Sequence, residues 1–145
     1  MKTKILLLIL VLTIAFGANS FAQERTFKNG SAWTLSFIKS NPGQGVAYIN
    51  SLKTSWKLVQ DEAVKQGLIL SYKILNGNPS SPDDWDLLLM IEYKNLASME
   101  GNEDKWEAIQ TKVVGNQEDR KKLQEVRLSQ RTMYGSRVMR EVVYK

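Results

Sequence analysis

The sequence predicts an α+β protein of the split βαβ, ferredoxin-like kind (βαββαβ): four strands in one antiparallel sheet, with helices on one face, behind an N-terminal signal peptide. Two observations carry the fold. The first is the stretch Asp84–Tyr93, DWDLLLMIEY, which reads as a strand. Trp85, Leu87, Leu89, Ile91 and Tyr93 fall on one of its faces and Asp86, Leu88, Met90 and Glu92 on the other, because side chains alternate along a strand. A half-solvated strand alternates apolar with polar. This one is apolar on both faces through its middle, so it reads as a central strand covered on both sides. The second observation is the order of the periodic segments: strand, helix, strand, strand, helical segment, strand.

Taken in order, Met1–Lys4 is basic, Ile5–Phe16 is almost unbroken apolar, and Ser20-Phe21-Ala22 places small residues at −3 and −1 of a cleavage site. That is the layout of a secretory signal over residues 1–22. Residues 23–31 are polar and read as a frayed leader, and residues 32–145 read as one domain. The first strand is Trp33–Lys39, with Trp33, Leu35 and Phe37 on one face, and Asn41-Pro42-Gly43 ends it. A helix from Val46 to Gln66 follows, with Ile49, Leu52, Trp56, Val59 and Ala63 as its apolar stripe and Gly67 as its stop. Leu68–Leu75 is the second strand, and the Asn, Gly, Pro and Ser of residues 76–82 form a loop to the central one. Asn95–Met99 allows one helical turn. Asn102 and Asn116 are placed to cap two further helices, the second of them mostly charged. The last strand runs over about Ser136–Tyr144.

Composition excludes several chemistries. The chain has no histidine and no cysteine. A Ser-His-Asp triad, a cysteine nucleophile, a histidine-ligated haem and the usual zinc sites are therefore unavailable, and no metal or other cofactor is expected. Removing Lys2 and Lys4 leaves 18 basic residues against 15 acidic ones, a net charge of +3. That is too mild to argue for nucleic acid. After signal cleavage nothing anchors the chain to a membrane, and the expected location is periplasmic or secreted. Asp83, Asp84 and Asp86 match no calcium-loop spacing and read as a solvated turn. Arg120, Lys121, Lys122, Arg127 and Arg131 read as a basic face balanced by Glu118, Asp119 and Glu125.

Lys39 followed by Pro42-Gly43, the central strand Asp86–Tyr93 and a final strand beginning near Arg137 give the chain a likeness to a known group. Over about Trp33–Tyr144 it resembles the dimeric α+β barrel superfamily, which includes the antibiotic-biosynthesis monooxygenases and stress-responsive barrel proteins. The resemblance implies two sheets packed face to face in a homodimer, and a ligand cleft between sheet and helices. Histidine-ligated haem, known in several such proteins, does not carry over.

Aromatic side chains are the strongest site signal. Tyr48, Trp56, Tyr72, Trp85, Tyr93 and Trp106 fall on the elements that should enclose such a cleft, which would suit a small apolar or aromatic ligand. Glu92 and Arg140 are charges on strands and are the polar candidates. The expected function is an exported dimeric domain that binds such a molecule. The alternative is a cofactor-independent monooxygenase or isomerase using Tyr72, Tyr93 or Glu92 as acid–base groups. The sheet face carrying Leu88, Met90, Ile38, Ile69 and Leu75 is expected to meet a second copy.

Overall fold

The computed structural model describes residues 25–145. The predicted signal peptide lies outside the described residues. The chain divides into a main unit, Asn29–Val143, and a small unit of the two termini, within which the Lys145 amide donates to the Thr26 carbonyl at 3.0 Å.

Among the described residues there are four strands: β1 (Phe27–Ser40), β2 (Ser71–Asn76), β3 (Leu87–Tyr93) and β4 (Arg131–Tyr144). Four helices accompany them: α1 (Gly45–Lys53), α2 (Trp56–Lys65), α3 (Glu103–Val113) and α4 (Gln117–Gln130), with a short 3-10 turn at Ala97–Met99. The sheet order is β2-β3-β1-β4, and β3 pairs antiparallel with both β1 and β2. This is the ferredoxin-like arrangement, with the first and third strands in the centre.

The paired registers decide which residues share a face. Ala32, Thr34, Ser36 and Ile38 of β1 stand opposite Tyr93, Ile91, Leu89 and Leu87. Tyr72 and Ile74 of β2 continue that layer, which the helices cover. The opposite, open face carries Trp33, Leu35 and Phe37 beside Glu92, Met90 and Leu88, with Lys73 and Leu75 beyond them. The assignment of β1 by its larger residues is thereby corrected. Ile38 is fully buried under the helices, whereas Trp33, Leu35 and Phe37 face away from them. The helix-facing side of β1 carries the small Thr34 and Ser36 between Ala32 and Ile38 while the larger apolar residues lie on the open side, so its alternation alone does not tell inside from outside. Ile69 is also corrected: it precedes β2 and is buried in the core with Ala32, Val59, Ala63 and Tyr93.

The single helix expected over residues 46–66 is two helices. Ser51, Thr54 and Ser55 lie at the break. The Thr54 and Ser55 hydroxyls both donate to the Ser51 carbonyl, at 3.3 and 2.6 Å. Hydroxyls that bond nearby carbonyls compete with the helix ladder, and three of them in five residues make this the weak point of the segment. Gly67 then ends α2 with φ of 69°, a conformation that costs other residues. β1 begins at Phe27 and not at Trp33, so the predicted leader is strand from Phe27 onward. β4 begins at Arg131, earlier than expected.

The cap residues differ from each other. Asn116 accepts from the Glu118 and Asp119 amides, and Asp119 accepts from the Asn116 amide, a complete capping box. Asn102 occupies the cap position of α3 but makes no cap bond, and its amide donates to the Ser98 and Glu100 carbonyls instead.

Candidate functional site

A cleft of about 370 Å³ opens between the helices and the helix-facing side of the sheet. Each wall follows from helical spacing. Trp56, Val59 and Gln60 lie on one face of α2, and Trp106 and Gln110 lie one turn apart on α3. Arg120, Leu123, Gln124 and Arg127 form a stripe at i, i+3, i+4 and i+7 of α4. Ile91 and Tyr93 of β3 form the floor, and Ser55 at the α1–α2 break closes one end. Trp56 packs edge to face on Tyr72, with ring centroids 5.3 Å apart and planes at 85°.

The two arginines of the α4 stripe are in different electrostatic situations. Arg120 is held bidentately by Glu107, at 2.6 and 2.9 Å. This raises the arginine's pKa and holds the Glu107 carboxyl below its ordinary value. Arg127 has no such partner. Its Nη2 donates to the Ser55 hydroxyl at 2.6 Å, and its Nε is buried without a hydrogen bond. Burial pushes its pKa down, and the neighbouring Arg131 adds to that shift. No carboxylate pairs with Arg127 among the described residues. Across the cleft, Gln60 is 4% exposed and its Oε1 is buried without a donor. Burial also raises the Tyr93 hydroxyl's pKa, which keeps it protonated and able to donate.

The cleft therefore gathers three of the six predicted aromatic residues: Trp56, Tyr93 and Trp106. Tyr72 stands behind Trp56, and its hydroxyl bonds Asp61. The 2.6 Å contact from Lys57, and after it the Tyr72 bond, keep the Asp61 carboxyl below its usual pKa. Tyr48 is core, 1% exposed, with the Arg131 guanidinium 5.4 Å from its ring centre. The remaining predicted residues are not in the cleft. Trp85 precedes β3 and meets Phe37 edge to face at 5.2 Å on the open side of the sheet. Glu92 stands opposite Trp33 on that same side and accepts from the Ser71 hydroxyl at 2.6 Å. Arg140 borders a shallow groove there with Trp33, Leu35 and Met90. Sequence reasoning missed Gln60 and Arg127. The i, i+3, i+4, i+7 stripe of α4 could have found Arg127, but the surrounding charges masked it.

Among the described residues no three metal-ligating side chains cluster. The arrangement is a cleft with aromatic and aliphatic walls, one uncompensated guanidinium and a few amide groups.

No family model matches the chain, and no curated protein does. Two solved structures resemble it. One is a dimeric ferredoxin-like protein from an uncultured marine organism, 13% identical, with a TM-score of 0.46 over 81% of this chain and 90% of that one. The other is a dimeric protein of unknown function and ferredoxin-like fold from Bacteroides fragilis, 15% identical, with a TM-score of 0.44 over 79% of this chain and 97% of that one.

Proposed function

We propose that this protein is an exported homodimeric domain that binds a small apolar or aromatic molecule in the cleft between sheet and helices. The observation that carries the reading is the wall of Trp56, Trp106, Tyr93 and Ile91 around an open volume of about 370 Å³. That size and lining suit a small flat molecule. The acid–base groups of the enzymatic alternative lie mostly elsewhere. Glu92 is on the other side of the sheet, the Tyr72 hydroxyl is engaged by Asp61, and the raised pKa of Tyr93 disfavours it as a base.

The dimer rests on the open sheet face. Trp33, Leu35, Phe37, Met90 and the half-exposed Leu75 form an apolar surface, which Met139 of β4, 54% exposed, extends. A soluble monomer rarely leaves such a surface to water. Lys73 and Arg137 lie over its aromatic rings, and Glu92 and Glu141 stand beside them, so the face carries both charge signs. A surface of that kind can meet its own copy across a two-fold axis. Native mass spectrometry of the protein purified from the periplasm tests the whole reading. The expected species is a dimer of chains starting at Gln23 that carries a small molecule, or takes one up from an added panel of aromatic compounds. A monomer retaining Met1, with no uptake, would overturn it.

A further inference from the structure

We infer that the cleft selects an anionic ligand: an aromatic or apolar molecule bearing one carboxylate, held by Arg127. The inference rests on the binding role proposed for the cleft and names the charge of what it binds. Three observations converge on it.

The first is charge balance. Arg127 lies in the last turn of α4 and Arg131 is the first residue of β4, its amide donating to the Arg127 carbonyl; both side chains have a buried Nε without a hydrogen-bond partner. Both guanidinium groups lie near Tyr48, whose hydroxyl pKa burial raises and the two arginines lower. Two like charges in a partly buried site repel each other, and removing them from water is costly unless a counter-charge arrives. Tyr48 is neutral at ordinary pH and supplies none.

The second is placement. Arg127 borders the cleft beside Trp56, and the Ser55 hydroxyl anchors one of its terminal nitrogens. The Ser55 hydroxyl in turn donates to the Ser51 carbonyl at 2.6 Å, so its lone pairs face the arginine. This anchors one terminal nitrogen and leaves the remaining Nη hydrogens for a carboxylate, whose two oxygens match such a fork.

The third is Gln60, a residue of the cleft lining whose Oε1 is buried and lacks a donor. A ligand with a hydroxyl or N–H on its aromatic body would satisfy it. Arg120 differs from Arg127 because Glu107 already neutralises it, so the selectivity belongs to Arg127 alone.

The test uses 1-naphthoate and its neutral counterpart 1-naphthamide, titrated into the mature protein at neutral pH. Tryptophan fluorescence provides the readout, because Trp56 and Trp106 line the cleft. Naphthoate is expected to bind about tenfold or more tightly than naphthamide, the size of a charge-assisted hydrogen-bonded pair. Arg127→Met should bring the two affinities within about twofold by weakening naphthoate alone, whereas Arg120→Met should leave the preference in place. Circular dichroism establishes that each variant is folded. If Arg127→Met does not fold, Arg127→Gln takes its place. Equal binding of acid and amide overturns the selectivity while leaving the cleft reading intact. Failure of both probes to bind at millimolar concentration overturns both. A preference that survives loss of Arg127 removes that residue from the role.

Discussion

Trp33 stands directly opposite Glu92 across the β1–β3 pair, and the Lys73 ammonium lies 5.5 Å from the centre of the Trp33 ring. An aromatic ring, a carboxylate and an ammonium thus share one open sheet face. Charges set among apolar residues are what a self-associating surface needs to fix its register.

The proposed dimer depends on that face. Met90 lies at its centre, opposite both Leu35 and Lys73. Met90→Lys adds a like charge beside Lys73 in each copy and should convert a micromolar dimer into a monomer. Light scattering coupled to size exclusion checks it. A wild-type protein that already runs at monomer mass would remove the basis for the two-sheet assembly.

Trp56 is half-buried, packs on the core around Ile38, Tyr48, Leu52, Leu87 and Leu89, and meets Tyr72 edge to face. Trp56→Ala should destabilise the fold by about 3 kcal/mol, the lower end for a large aromatic because part of the ring reaches solvent. Urea unfolding measures it, and a loss under about 1 kcal/mol would show that the ring contributes little packing.

Gly67 has φ of 69°, and nothing lies within 4 Å of where a β-carbon would stand. Gly67→Ala therefore meets no clash, only the cost of the left-handed conformation, about 1 kcal/mol. A larger loss in the same unfolding experiment would point to a contact formed by neighbouring residues.

Tyr48 and Tyr93 both have pKa values raised by burial above 10.0. In the unfolded chain their hydroxyls ionise at about that pH; in the folded protein they ionise later. The stability that this difference contributes is complete below pH 10 and is lost as pH rises through the folded-state values. The urea midpoint should fall above pH 10, and Tyr48→Phe together with Tyr93→Phe should flatten that fall. An unchanged slope in the double variant would assign the alkaline loss to other groups.

Much of the fold was legible because local patterns and tertiary demands agree. Leu87–Tyr93, the apolar part of DWDLLLMIEY, forms a central strand, Gly67 and Gly115 follow their helices, and Asn116 caps α4 with Asp119 as its reciprocal partner. In each case the determining interactions lie within a few residues, so the chain carries them by itself.

What only the tertiary structure decided is which way ambiguous elements turn. β1 has its largest apolar residues on one face and the mixed set Ala32, Thr34, Ser36 and Ile38 on the other, and its cross-strand register with β3 put Ile38 under the helices and Trp33 and Phe37 on the open side. Trp85 followed Phe37 to that side because β3 begins only at Leu87. Arg127 looked like one charge among many on a polar helix. Packing α4 across the α1–α2 break brought it to Ser55, 72 positions away in the chain, and withheld a carboxylate. Amino-acid order specifies charge and periodicity, but desolvation and pairing depend on neighbours distant in sequence, and these made Arg127 the distinctive residue of the cleft.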